Sequence, residues 1–180
     1  MLWRKILTKL TVYFAGPSVF LPNAKEYGDR LKRKAQELGF IGIYPCDGEI
    51  ETSGLNADKE IFQLNMASVG VCDVVIAELG PFRGTEPDSG TVWEIATAKA
   101  LGKLVIGCIP RYRDMIHLVS EMWAVEKKDG RYIDEFGNFI EDFGRPLNLM
   151  ICNGVDHLIE GDSFDGLLHL KKMFSEKIDK

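Results

Sequence analysis

The sequence has no glycine-rich phosphate cradle: neither GxGxxG after its first strand-like run nor GxxxxGK[ST] occurs. A dinucleotide oxidoreductase or a nucleotide triphosphatase would lack the backbone amides that hold its cofactor's phosphates, and no cofactor is expected. Cysteine is sparse and dispersed. Cys46, Cys72, Cys108 and Cys152 form no CxxC pair and read as buried thiols of a reducing compartment, so a cytoplasmic location is expected. His117, His157 and His169 stand apart from each other and from any cysteine or acid at ligand spacing, and no metal is expected. No apolar run is long enough to span a bilayer, and a net charge of -5 has nothing to attract nucleic acid or an anionic membrane. The opening MLWRKILTKL is basic and amphipathic. With no small-residue cleavage site behind it, it reads as a lead-in to the first strand in preference to an organelle-targeting segment.

What is present is an ordinary globular composition, 46% hydrophobic and 27% charged over 180 residues, enough for one domain spanning 1–180 with a substantial core. KLTVYFAGP is β-branched and aromatic and stops at Gly16-Pro17, a strand ending in a tight turn whose bare backbone a ligand can approach. Asn23 and Glu26 open a helix whose Tyr27, Leu31, Ala35 and Leu38 recur at helical spacing until Gly39. FIGIYPCDG is a second strand, and Ile61, Leu64 and Ala67 or Ser68 place a helix over 56–70. CDVVIAEL is a third strand, EPDSGTVWEIATAKALGK contains a third helix, and KLVIGCI is a fourth strand.

Further on, residues 112–124 look helical, and a polar, Gly-punctuated stretch near 125–143 carries the hairpin signal Asp129-Gly130 and resembles a lid. GVDHLI and residues 163–177 supply a late strand and a closing helix. Strands alternating with helices predict an α/β fold: an open, mainly parallel sheet with helices on both faces, Rossmann- or flavodoxin-like, with the hairpin as an insertion.

Ligands of such sheets bind beyond the carboxyl ends of the strands. Asp73 opens the third strand at the opposite end and is expected to be structural. Gly16, the Asp47-Gly48-Glu49 turn, Glu78, the loop GPFRGTEPDSG and then Glu94 all follow strands and converge on one edge. Glu94 itself has two readings. Thr91-Val-Trp-Glu94 fits a capping box, in which the glutamate only reaches back to the Thr91 amide. Alternatively, if the helix starts near Ser89 or Gly90, Glu94 shares a stripe with Thr91, Ala98 and Leu101, faces small apolar neighbours, and is an ionised, partly desolvated carboxylate suited to attack an anomeric carbon. From that helix alone both remain open.

VYFAGP, CDVVIAEL, DSGTVWEIATAKALGKLVIG and GRPLNLM, in that order, resemble the nucleoside 2-deoxyribosyltransferases over most of the chain. The resemblance makes Glu94, the glutamate of D-x-G-x-x-x-E, the nucleophile, and Tyr13 its hydrogen-bond partner. Asp88 would hold the sugar 5'-hydroxyl together with Asn148 delivered by a neighbouring subunit, Met150 would line the pocket beside it, and Gly90 of the same segment counts among the substrate-binding residues. It implies a homo-oligomer, at least a dimer, that shares its active sites. Its substrates would be 2'-deoxynucleosides and free purine or pyrimidine bases, exchanged through a covalent glutamyl–sugar ester with retention and some hydrolysis.

The sequence departs from the family at Asn65, eight residues before Asp73, where an aspartate is frequent. An amide can donate a hydrogen bond to a base nitrogen but has no ionisable proton, so Glu78 or water would have to protonate the leaving base. Asp47 and Glu49 are expected to read the base edge. The rival readings are a glycosidase of deoxynucleoside 5'-monophosphates and a non-catalytic nucleoside-binding module. Arg83 bears on the first, since it could pair with Asp88, Glu86 or a phosphate.

Overall fold

Alternate residues of a strand point to opposite faces of its sheet, and in this chain both sets are apolar. In strand β3 (Val74–Glu78), Val74 and Ile76 enter one buried cluster while Val75 and Ala77 enter the other. A strand buried on both faces belongs in the middle of a parallel sheet. The computed structural model, which describes residues 9–47 and 56–176, places it there.

The sheet has five parallel strands in the order β2 (Ile41–Ile43), β1 (Thr11–Ala15), β3, β4 (Leu104–Ile109), β7 (His157–Glu160). Helices α1 (Ala24–Glu37) and α6 (Ser163–Ser175) cover one face around Leu31, Ala35, Leu167 and Leu170. Helices α2 (Ala57–Val71), α3 (Ser89–Ala100) and α5 (Leu149–Gly154) cover the other through Val69, Ile95, Ala98 and Ile151. The chain leaves β1 toward β2 on one side and returns to β3 on the other, so the connections diverge between β1 and β3. That divergence opens a crevice at the carboxyl ends of the two strands. Asp73 sits at the opposite end, where its Oδ2 accepts from the Thr11 amide at 3.0 Å and ties β1 to β3.

Gly39 and Gly102 end α1 and α3 with φ of 92° and 70°, the left-handed conformation that an unbranched backbone adopts without steric cost. The helix expected over 112–124 is much shorter. Asp114 accepts from the His117 amide at 2.9 Å and starts α4 (Met115–Ser120) there, so only six residues are helical. The hairpin forms as β5 (Val125–Lys128) and β6 (Arg131–Asp134), with Asp129 and Gly130 both at positive φ in the turn. His157 and His169, read as isolated, meet across β7 and α6 with ring centroids 5.0 Å apart, a proximity that only the packing of α6 on the sheet creates. Among the described residues no helix is long and apolar enough to cross a membrane, and no cluster of His, Cys, Asp or Glu is arranged to hold a metal.

Candidate active site

Asp88 is the residue that starts α3. Its Oδ2 accepts from the Thr91 amide and from the Thr91 hydroxyl, both at 2.9 Å. The helix therefore begins three residues earlier than the Thr91 capping box would require, and Glu94 lies a full turn inside it, beyond reach of any N-cap amide. The capping reading of Glu94 falls on this geometry.

At that position the glutamate points into the protein. Glu94 is only 8% exposed, and its Oε1 accepts two hydrogen bonds: from the Tyr13 hydroxyl at 2.7 Å and from the Asn65 amide at 3.1 Å. Tyr13 is the central residue of β1 and is fully buried, so the sheet itself fixes its ring. Asn65 comes from α2, which packs beside α3. Oε2 has no donor among the described residues.

Burial is the main influence on this carboxyl and pushes its pKa up to about 6, with the Asp88 charge adding to the rise and the Tyr13 and Asn65 bonds opposing it. Such a shift has a consequence for stability. Folded Glu94 holds its proton more tightly than unfolded Glu94, so its ionisation costs no stability well below pH 4.5, where both states are protonated. The cost grows as pH rises through about 6 and levels off near 2 kcal/mol, the equivalent of about 1.5 pH units. Glu94→Gln, whose amide oxygen can still accept from Tyr13 and Asn65, should raise the unfolding free energy by about 2 kcal/mol at pH 8 and by little at pH 4. Urea denaturation at the two pH values checks this.

Glu94 forms part of the wall of a cavity of about 460 Å³ between α2 and α3, lined also by Asn65, Gly90, Ser89, Phe62, Met66 and Trp93. This volume suits a small-molecule site, and its walls are largely apolar around a few polar groups. The sequence reading missed Phe62, Met66 and Trp93. Trp93 is 61% exposed beside a buried acid, and apolar residues surround α2 on all sides, a surplus that a core-facing stripe does not explain. The expected stripe of Ile61 and Leu64 faces outward, while Met66 and Val69 pack inward.

Several expected site residues lie elsewhere. Glu78 is separated from Glu94 by the sheet, because it belongs to the Val74–Ile76 set of β3. Its Oε1 accepts from Tyr27 of α1 at 2.8 Å and from Ser163 of α6 at 3.0 Å. Gly16 is bare for the sake of Glu78, since a β-carbon there would lie 2.6 Å from Glu78 Oε2. Asp47 holds its own turn by accepting from the Tyr44 amide at 2.9 Å and pairing with Lys32, and it does not line the cavity. Glu49 lies outside the described residues. Asn148 caps α5, with its Oδ1 accepting from the Met150 amide at 2.9 Å, and its own amide donates to Glu141 at 2.7 Å. Neither Asn148 nor Met150, which is 74% exposed, lines the cavity beside Glu94 of the same chain. Arg83 is stacked over Phe20 and Phe82 at 5.1 and 4.6 Å from their ring centroids and pairs with neither Asp88 nor Glu86.

A family described as nucleoside 2-deoxyribosyltransferase matches residues 12–150, which span β1 through the start of α5. The chain belongs to this family. A solved relative described as a 2-desoxiribosyltransferase from Leishmania mexicana is 32% identical, with a TM-score of 0.66 over 89% of this chain and 95% of its own. A conserved protein from Enterococcus faecalis V583 shares the fold at 18% identity, with a TM-score of 0.60 over 92% of this chain and 99% of its own. An uncharacterized protein from Schizosaccharomyces pombe is 37% identical over 101 residues, 53% of this chain. The alignment spans about half of that relative's length, 48%.

Proposed function

We propose that this chain transfers a 2-deoxyribosyl group from one nucleobase to another through a covalent ester on Glu94. The observation that carries the reading is the buried Glu94 carboxylate at the cavity wall, with Oε1 held by two donors and Oε2 without one among the described residues. Membership of the family and the likeness to the Leishmania protein support the substrate class.

In the first displacement, Oε2 attacks C1' of the bound deoxynucleoside. The C1'–N bond breaks, its electron pair leaves with the base, and the sugar stays as a glutamyl ester. In the second, a ring nitrogen of another base attacks C1' from the opposite face and the ester C–O bond returns its electrons to Glu94, so the anomeric configuration is retained overall. Water in place of the second base gives hydrolysis. The elevated pKa agrees with this role: a carboxylate pushed to about 6 is more nucleophilic than an exposed one and is still ionised at neutral pH. The leaving base takes its proton from water, since Asn65 is an amide and Glu78 is on the other face. Asp88 is not itself in the cavity lining but precedes Ser89 and Gly90, which are, and it accepts the 5'-hydroxyl with its second oxygen, which has no donor among the described residues when Oδ2 caps the helix.

Incubating the protein with 2'-deoxyinosine and adenine tests the reading directly. Transfer yields 2'-deoxyadenosine and hypoxanthine, whereas a nucleoside-binding protein yields neither.

The resemblance assigns Asn148 and Met150 to a neighbour's pocket. Exposed Met150 on α5 and an Asn148 absent from its own chain's cavity support that arrangement. Glu94→Ala and Asn148→Ala, each inactive alone, should then regain activity when mixed, because a mixed pair contains one site with both native residues. Subunit exchange without any recovered transfer, measured by chromatography of the products, would argue that each chain works alone.

A further inference from the structure

We propose that Asn65 is a positioning residue for Glu94: its amide and the Tyr13 hydroxyl together hold Oε1 and so leave Oε2 as the attacking oxygen. This rests on Glu94 being the nucleophile. Either donor alone lets a carboxylate swing about its last side-chain torsion, which is soft and roughly two-fold. Two donors from different elements, β1 and α2, converge on the same oxygen at 2.7 and 3.1 Å and restrict that rotation. An error of about 1 Å at the attacking atom can cost about a hundredfold in rate.

An amide and an acid would act differently on Glu94 from this position. Among the described residues the groups acting on Glu94 are Tyr13 from β1, Asn65 from α2 and Asp88 at the start of α3, of which only Asp88 is charged. A second carboxylate about 3 Å from Oε1 would share one proton with Glu94 and remove the donor whenever both were ionised. A neutral amide donates at every pH. Residue 65 therefore serves the nucleophile.

The test compares the native protein with Asn65→Ala and Asn65→Asp on 2'-deoxyinosine and adenine between pH 5 and 9. Folding is followed by circular dichroism, and Glu94 is titrated by carbon-13 NMR of its side-chain carboxyl in the same proteins. Asn65→Ala should lower kcat about 10- to 100-fold while KM changes by less than about threefold. Its Glu94 carboxyl should titrate higher than in the native protein, because a donor to the ionised form is gone. Asn65→Asp should be slower than native at pH 8, with the ratio of its kcat to the native value rising as the pH falls and the pair takes up its shared proton.

A raised KM with kcat intact in Asn65→Ala would overturn the proposal in favour of a contact to substrate. So would an Asn65→Asp enzyme faster than native at neutral pH, which would mark the position as an acid site merely left unfilled. If the native protein turns over no deoxynucleoside, the transfer reading fails, and the NMR titration still decides whether Asn65 holds Glu94. A shifted Glu94 supports the contact, and an unshifted Glu94 overturns it.

Discussion

Glu94→Ala should abolish the proposed transfer, with turnover at least about a thousandfold below native and the fold intact. The size follows from the site. Among the described residues Oε2 is the one unengaged oxygen of the carboxylate, and the other cavity-lining side chains are Asn65, Ser89, Phe62, Met66 and Trp93, none of them an acid. Without the glutamate no residue there can form the ester, and the uncatalysed loss of a base from a deoxynucleoside is slow. The pH profile of the native protein should fall on the acid side with an apparent pKa near 6, as the nucleophile becomes protonated. A 2-fluoro-2-deoxyribosyl nucleoside should leave its sugar attached to Glu94, read by peptide mass spectrometry. An adduct on another residue, or none on an active enzyme, would refute the assignment.

Deoxynucleosides should be used much better than their 5'-monophosphates. Asp88 is half-buried, and its Oδ2 is committed to Thr91 while its other oxygen accepts from no described group, a geometry suited to a neutral hydroxyl. A phosphate about 4 Å away would meet a like charge at a cost of up to about 4 kcal/mol for an effective dielectric constant near 20. Partial exposure of Asp88 reduces this to about 2 kcal/mol, or roughly 30-fold in kcat/KM. Arg83 does not offset the repulsion where it stands, stacked on Phe20 and Phe82. Asp88→Ser should narrow the gap, because serine removes the charge, supplies a donor and remains a competent helix cap. Steady-state kinetics on 2'-deoxyinosine and its 5'-monophosphate measure both effects. A preference for the monophosphate would replace the transferase reading with that of a nucleotide glycosidase.

The parts of the fold legible in the sequence are those decided by strand-long apolar runs and by local stop signals. β1, β3 and β4 are nearly continuous Val, Ile, Phe and Ala, which only a doubly covered parallel sheet tolerates, and glycines end α1 and α3 where the spacing said they would. Helix α2 was legible as a helix but not in its orientation. With Ile61, Phe62, Leu64, Met66 and Val69 distributed around it, several stripes fit the same 3.6-residue period, and packing chose the one through Met66 and Val69. The extent of α4 was misread because apolar residues extend beyond Asp114, the side chain that starts the helix.

The sequence by itself determined at which end of the sheet Glu94 and the acids that follow β2 and β3 would gather, while Tyr13 as a partner of Glu94 was only what the resemblance implied. Order along the chain and strand periodicity are local properties, and they suffice for that much. Only the tertiary structure decided which of those acids share a face. Glu78 follows the same strand edge as the site, yet strand alternation turns it to Tyr27 and Ser163 across the sheet, and Asp47 is spent on Lys32 and its own turn. Asn65 and Glu94 are 29 residues apart and come within 3.1 Å because α2 and α3 pack side by side on one face. A carboxylate's partners and burial, and therefore its pKa and its free oxygen, depend on such long-range packing, which no local pattern encodes.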